Sequence, residues 1–334
     1  MLGLVAAMVM LWAGGYDAGA VLGGSLSQAL FTQRGVMSTL GAATPLLLTA
    51  ITWAVGIRSG VFNIGAEGTL MVAAAATIAA GGLLRLPPGI HHLIALLAAI
   101  AAGVLWNVPI AYAKVKRNVH EVVSTIMANW IALYLTGFLV VWLLRDPAGV
   151  WSVSMAPTAR FQALVRGTTL TGVLFIAIAV ALVAYVLLWH TKTGQHIRAT
   201  GFGWDVARNC GIRVERALTL GFLIGGGAAG VAGYALTAGL PPTWAISDKL
   251  GALMGYGFTG IAVAAVGGNH PLGVIVAAML IGALTTAGRF MQMFFGVPPE
   301  ITEVVVGMIV LLLALPAFSG ALRRHMERKA RGSS

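Results

Sequence analysis

Among 334 residues there are ten carboxylates, few enough to place one by one. Asp17, Asp146, Asp205, Glu215, Asp248 and Glu327 fall in polar connecting stretches. Glu67, Glu121, Glu300 and Glu303 stand at or near the ends of apolar runs. Charge at membrane depth is costly, so it is kept where it faces a cavity or a partner. Glu67 belongs to SGVFNIGAEGT (Ser59 to Thr69), four residues after Asn63, so a helix would carry both on one face. Glycines at 60, 65 and 68 interrupt helix cheaply. The stretch reads as a broken or re-entrant element beside a translocation path, since irregular backbone at that depth must be satisfied by protein or water. A plainer reading stands beside it: Glu67 caps the next helix through its N-terminal amides. The two readings are compatible.

Two further clusters carry polar groups into apolar surroundings. NVHEVVSTIMAN (Asn118 to Asn129) opens with His120 and Glu121. Position 124 is serine, so the pair is not the H-E-x-x-H of a zinc protease. Ser124, Thr125 and Asn129 continue the polar face inward, toward a path or toward hydrogen bonds between helices worth about 1 kcal/mol each. Asn107, between Trp106 and Pro109, is a similar case. The third cluster, Gly251 to Gly273, holds six glycines between 251 and 268. It permits close helix approach, or forms a hinged helix along the path with Phe258 offering an aromatic face. No nucleophile–base pair or metal constellation emerges, so an enzyme is not expected. The single cysteine, Cys210, excludes an intrachain disulfide and a zinc site of several cysteines. No G-x-x-x-x-G-K-[ST] occurs, so if ATP is used another chain hydrolyses it.

The elements that must position these residues are membrane helices. Hydrophobic residues make up 58% of the chain and charged ones 9%, against about 25% charged in soluble domains. Several uncharged runs exceed about 18 residues, the length that spans about 30 Å of hydrocarbon. The expected fold is an all-α polytopic integral membrane protein with about ten transmembrane helices and broken Gly-rich segments. Candidate spans are 1–14, 36–57, 67–84, 93–113, 121–144, 169–189, 217–240, 251–268, 271–289 and 301–320. The first is read as a short helix rather than a cleaved signal peptide, because no basic region precedes it. The stretch from Tyr16 to Gln33 reads as an amphipathic or irregular outer piece, and residues 145–167 as the longest outer loop, with Trp151 at the interface. With the N-terminus inside, fourteen Lys and Arg fall on the cytoplasmic side against seven outside, which supports cytoplasmic termini. The same rule accounts for a net charge of +11 without nucleic acid. A single domain is expected over 1–322, with a basic cytoplasmic tail at 323–334. Between two long apolar runs lies a polar island, Thr191 to Arg216, with five Lys and Arg. It is either a solvated loop or a docking surface.

Taken together, GVFNIGAEG, NVHEVVSTIMANWIA, GQHIRATG, ARNCGI and GFTGIAVAAVGGNHPLG resemble, in order and spacing, membrane subunits of bacterial ABC importers. The group is that of simple-sugar and branched-chain amino acid permeases. Within it the chain looks most like the nucleoside, lipoprotein-dependent branch, through N-I-G-A-E-G and H-E-V-x-S-T-I-M. The resemblance covers roughly residues 36–320. It departs from the pattern at Thr69, at Gly203 to Val206, and in a shorter N-terminus.

The resemblance implies a multi-pass subunit of the bacterial inner membrane, binding no cofactor itself. A cytoplasmic ABC ATPase uses ATP and Mg, a second and non-identical permease completes the path, and an extracytoplasmic binding protein delivers ligand. It implies a short coupling helix around Asp205 to Gly211. Arg198, Asp205, Ala207, Arg208, Gly211 and Arg213 are the expected coupling residues. Asn63, Glu67, Asn129 and Phe258 are the expected path residues, reading ribose or base and stacking on it. The rivals are a simple-sugar permease of the same group and an ion-coupled secondary transporter. The latter needs a titratable group in mid-span, where the longest runs have none.

Overall fold

The computed structural model describes residues 2–147, 149, 151–247 and 249–313. Every regular element among them is a helix; Arg145 with Ser152 and Trp151 with Ser247 form isolated bridges. Two short apolar helices come first, α1 (Leu2–Ala13) and α2 (Ala18–Phe31). Five long ones follow: α3 (Gln33–Ser59), α4 (Ala66–Ile78), α5 (Ile90–Arg117), α6 (Glu121–Phe138) and α7 (Val173–His190). Helices α4 and α6 each end in a π turn, Ala79–Leu83 and Leu139–Leu143. The polar island folds as α8 (Lys192–Phe202) and α9 (Trp204–Asn209). Then come α10 (Val214–Thr237), α11 (Tyr256–Val266), α12 (Pro271–Phe295) and α13, residues 299–313.

Seven of these helices are long and apolar enough to cross a membrane. Among the described residues, seven of the ten expected spans are long helices, two are shorter pieces, and the last is described only in part. The run at 1–14 yields α1, 12 residues and about 18 Å at the rise of an α-helix. The run at 251–268 is a 3₁₀ turn (Gly251–Leu253) followed by the 11-residue α11, about half a bilayer in length. The run at 301–320 is helical through residue 313; its remainder, Asp248 and the basic tail at 323–334 lie outside the described residues. The stretch from Tyr16 to Gln33 is mostly the helix α2, and the Asp17 carboxylate accepts the Ala20 amide at its start (3.1 Å).

Helices α3, α4 and α10 are the buried centre, whereas α5, α6 and α7 leave most of their surface exposed. Small residues explain the centre. Gly226 of α10 meets the Gly103 backbone and the Asn107 side chain of α5, and a Cβ there would lie 2.7 Å from Asn107 Nδ2. Without a hydrophobic drive between helices in lipid, such close backbone approach supplies the packing. The exposed residues of the outer helices, among them Leu105, Ile131, Trp142 and Phe175, are those a lipid-facing surface requires. The 145–167 connection is not a free loop. Ser152 and Met155 donate their amides to Ile246 O (2.9 Å) and Trp244 O (3.0 Å), and the Trp244 indole donates to Phe161 O (2.9 Å).

Candidate functional site

Helix α3 ends at Gly60, which adopts φ +80°, a left-handed conformation that glycine takes without strain. Residues 61–64 run outside any helix before α4 begins. This break is the irregular element expected between Ser59 and Thr69, and side chains satisfy its backbone. Asn63, 2% exposed, accepts the Gly65 amide on Oδ1 (2.9 Å). Asn129 reaches across from α6, accepting the Gly68 amide (2.8 Å) and donating to Ile64 O (2.9 Å). Thr125 Oγ1 accepts the Ile64 amide (3.3 Å). From α5, Asn107 donates to Thr69 Oγ1 (3.0 Å), and Thr69 donates to Gly65 O (2.6 Å).

Glu67 lies in the first turn of α4 and is almost wholly buried. Its carboxylate is directed to a different helix than the one expected. It accepts the amides of Gly255, Gly257 (2.5 Å) and Phe258 at the start of α11. The capping role therefore holds, but on α11, reached through tertiary packing rather than along the chain. Free amides and the helix dipole make that end a favourable place for a carboxylate. Helix α3 pins the same end: Trp53 Nε1 donates to Gly257 O (3.2 Å) and Thr49 to Tyr256 O (3.0 Å). Residue 257 must be glycine, because a Cβ would lie 2.5 Å from Glu67 N.

Asn63, Glu67 and Asn129 are thus brought together, and Asn63 Oδ1, the Glu67 carboxylate and both amide atoms of Asn129 are engaged by backbone. The Phe258 ring points elsewhere. It is half exposed and lines a cleft of about 610 Å³ between α11, α12 and α13. Thr285, Arg289, Gln292 and Glu303 line it too. Only Glu303 stood out in the sequence. The spacing of Thr285, Arg289 and Gln292, at i, i+4 and i+7, was the signal for the rest.

The polar island forms a second site. Helix α9 has six residues and sits between Gly203 and Gly211, the latter at φ +76°. Ala207 is buried and Asp205 exposed. Arg208 pairs with Glu215 at 2.7 Å, both about half exposed, so this arginine has a carboxylate within the chain. Arg198 stacks on Trp189, with its guanidinium carbon 5.2 Å from the ring centre, and Arg58 approaches the same ring at 5.4 Å. Arg213 joins Lys192, His196 and Arg216 around a basic pocket of about 270 Å³. Two residues passed over in the sequence tie α9 to the break. Trp204 lies against Gly60, where a Cβ would be 3.2 Å from its Nε1. Lys114 lies over the Trp204 ring (4.9 Å) and makes a largely buried ion pair with Glu121 (2.8 Å).

Beside them, Arg58 donates to Asn269 O (2.9 Å) and Gly268 O (3.0 Å), in the turn between α11 and α12. His270 packs on Trp189, with ring centres 4.3 Å apart. Burial, and then the Arg58 guanidinium, hold its imidazole below the ordinary histidine value.

Residues 35–314 match the permease component of the branched-chain amino acid transport system. The guanosine ABC transporter permease protein NupP of Bacillus subtilis is 33% identical over 94% of this chain and 90% of its own length. The nucleoside ABC transporter permease protein NupB of Lactococcus lactis is 29% identical, over 86% of this chain and 81% of its own. The glucose ABC transporter permease protein TsgB13 of Haloferax volcanii is 27% identical, over 92% and 83%. Among solved structures, PsaBC from Streptococcus pneumoniae in complex with Fab shares the fold with a TM-score of 0.50 and 14% identity, over 87% of this chain and 94% of that one. With a family match across most of its length and a relative one-third identical end to end, the chain belongs to the family of branched-chain amino acid transport system permease components.

Proposed function

We propose that this chain is the membrane subunit of an ATP-driven nucleoside importer. The observation that carries this reading is the 33% identity, along nearly the whole chain, to a permease named for guanosine. In this reading the chain crosses a bacterial plasma membrane about ten times, with α11 as a half-crossing element and both termini cytoplasmic. It binds no cofactor and hydrolyses nothing. A separate ABC ATPase uses ATP and Mg, a second, non-identical permease completes the path, and an extracytoplasmic binding protein delivers substrate. The permease NupQ, named for guanosine in the same organism as NupP, is 29% identical over 85% of this chain and supports a paired arrangement.

Helix α9 is the part the ATPase grips, with Asp205, Arg208, Gly211 and Arg213 on its outside, Ala207 seating it and Arg198 holding the preceding α8 to Trp189 of α7. Motion of α9 would pass through Trp204 to the break at Gly60, and from there through Glu67 to α11. Asn63, Glu67 and Asn129 then hold the path's broken element in shape, while Phe258 faces the substrate.

The test is uptake by proteoliposomes that hold this chain with its second permease, ATPase and binding protein. ATP-dependent accumulation of a labelled purine nucleoside, with glucose failing to compete, is the expected result. Accumulation of glucose alone would replace the nucleoside reading with the sugar reading that the Haloferax relative favours. ATP-independent uptake by this chain alone would overturn the importer reading.

A further inference from the structure

The cleft that receives Phe258 carries more chemistry than an aromatic ring. Three helix faces form it: Phe258, Thr259 and Ala262 of α11, the Thr285–Arg289–Gln292 stripe of α12, and Thr302, Glu303 and Val306 of α13. Its volume of about 610 Å³ falls within the roughly 300–1,000 Å³ of small-molecule sites. It is graded from end to end. Arg289, Gln292 and Glu303 lie near the α12–α13 turn, while Ala262, Ile281, Val310 and Leu311 line the apolar remainder.

Arg289 and Glu303 share the cleft, yet no ion pair joins them among the described residues. The Arg289 guanidinium is hydrogen-bonded to the Tyr256 side chain instead. Thr285 donates its hydroxyl proton to its own helix, to Ile281 O at 3.0 Å, so toward the cleft it can only accept. Two glycines make room. Gly288 permits α13 to approach, and a Cβ on Gly307 would meet nothing within 4 Å among the described residues.

A carboxylate accepts two adjacent hydroxyls, a carboxamide both donates and accepts, and an aromatic face stacks on a flat ring. A polar end beside an apolar, aromatic one therefore suits a molecule with a vicinal diol at one end and a planar heterocycle at the other. We infer that the α11–α12–α13 cleft is a nucleoside-recognising subsite of the permease itself, with Glu303 and Gln292 on the ribose diol and Phe258 stacked on the base. This rests on the nucleoside reading above and goes beyond it. Selectivity would then lie partly in the membrane subunit, not only in the binding protein.

The experiment uses the complete four-component transporter and compares a ribonucleoside with its 2′,3′-dideoxy analogue. Changes between wild type and variant then isolate the permease, because the binding protein is the same. Glu303→Ala should raise KM for the ribonucleoside about ten-fold or more, as expected for a lost charged hydrogen bond, and leave KM for the dideoxy analogue within about two-fold. Phe258→Ala should raise both. Gly307→Leu, which fills open space, should block uptake of both while the complex assembles in wild-type amounts. Equal effects of Glu303→Ala on the two substrates, or undiminished uptake by Gly307→Leu, would overturn the subsite. A wild-type transporter that carries glucose and no nucleoside would instead overturn the reading on which the subsite rests.

Discussion

Glu67 is the residue on which most depends. Its carboxylate takes amides at the start of α11, from a position in the first turn of α4. Replacing it with alanine leaves the buried Gly257 amide without an acceptor, at about 1–3 kcal/mol, and strips the part-buried Gly255 amide of its carboxylate. Glu67→Gln keeps one acceptor oxygen. The thermal midpoint of the purified protein should therefore fall by several degrees for the alanine variant and by less for glutamine; equal midpoints would show that the clamp contributes nothing. Gly257→Ala should behave like Glu67→Ala, because the added methyl occupies the space of the Glu67 backbone. Glu67 and Asn63 were legible from the sequence as polar groups in a glycine-broken stretch. The helix that receives the carboxylate was not, because 188 residues separate Gly255 from Glu67 along the chain.

At the scale of the element, α9 is too short to hold its own conformation in water, where helices under about 12–15 residues are marginal. Packing holds it: Ala207 is buried, and Trp204 lies between Lys114 and Gly60. Trp204→Ala should lower the amount of nucleoside moved per ATP hydrolysed at least about five-fold, the low end of a coupling energy of 1–3 kcal/mol. Paired uptake and phosphate-release measurements on the reconstituted transporter would read this ratio, and an unchanged ratio would remove Trp204 from the coupling route.

The neighbouring 267–270 turn carries a pH dependence. The His270 pKa is lower in the folded state, so protonation opposes folding. Its contribution is complete above the unfolded value of about 6.5 and is lost as pH falls through that value toward the folded one. The wild-type midpoint should drop more between pH 7.5 and 5.5 than that of His270→Asn.

For the molecule as a whole, the chain carries its own probe of orientation. Cys210 is the single cysteine and is exposed, immediately after α9. A membrane-impermeant maleimide should label it in inside-out vesicles and leave it unlabelled in intact cells. The reverse pattern would invert the proposed topology and place α9 out of an ATPase's reach. The same scale explains why three helices hide their surfaces and three show them. In lipid, apolar surface exacts no penalty, so the sorting follows small residues and polar pairings rather than hydrophobicity.

Composition and run length alone determined that this is a helical membrane protein, because the bilayer imposes both apolarity and helix length on any chain that crosses it. Local motifs alone determined the family and the polar island, because glycines and charges stand out against an apolar background. Tertiary structure decided the rest. It gave α11 only about half the length of a crossing, turned most of Tyr16 to Gln33 into a helix and sent Glu67 to α11. It also gathered Thr285, Arg289, Gln292 and Glu303 around Phe258, and seated α9 on the break at Gly60. Each of these depends on contacts between residues far apart in the chain, and periodicity along one helix does not record which neighbour its face will meet.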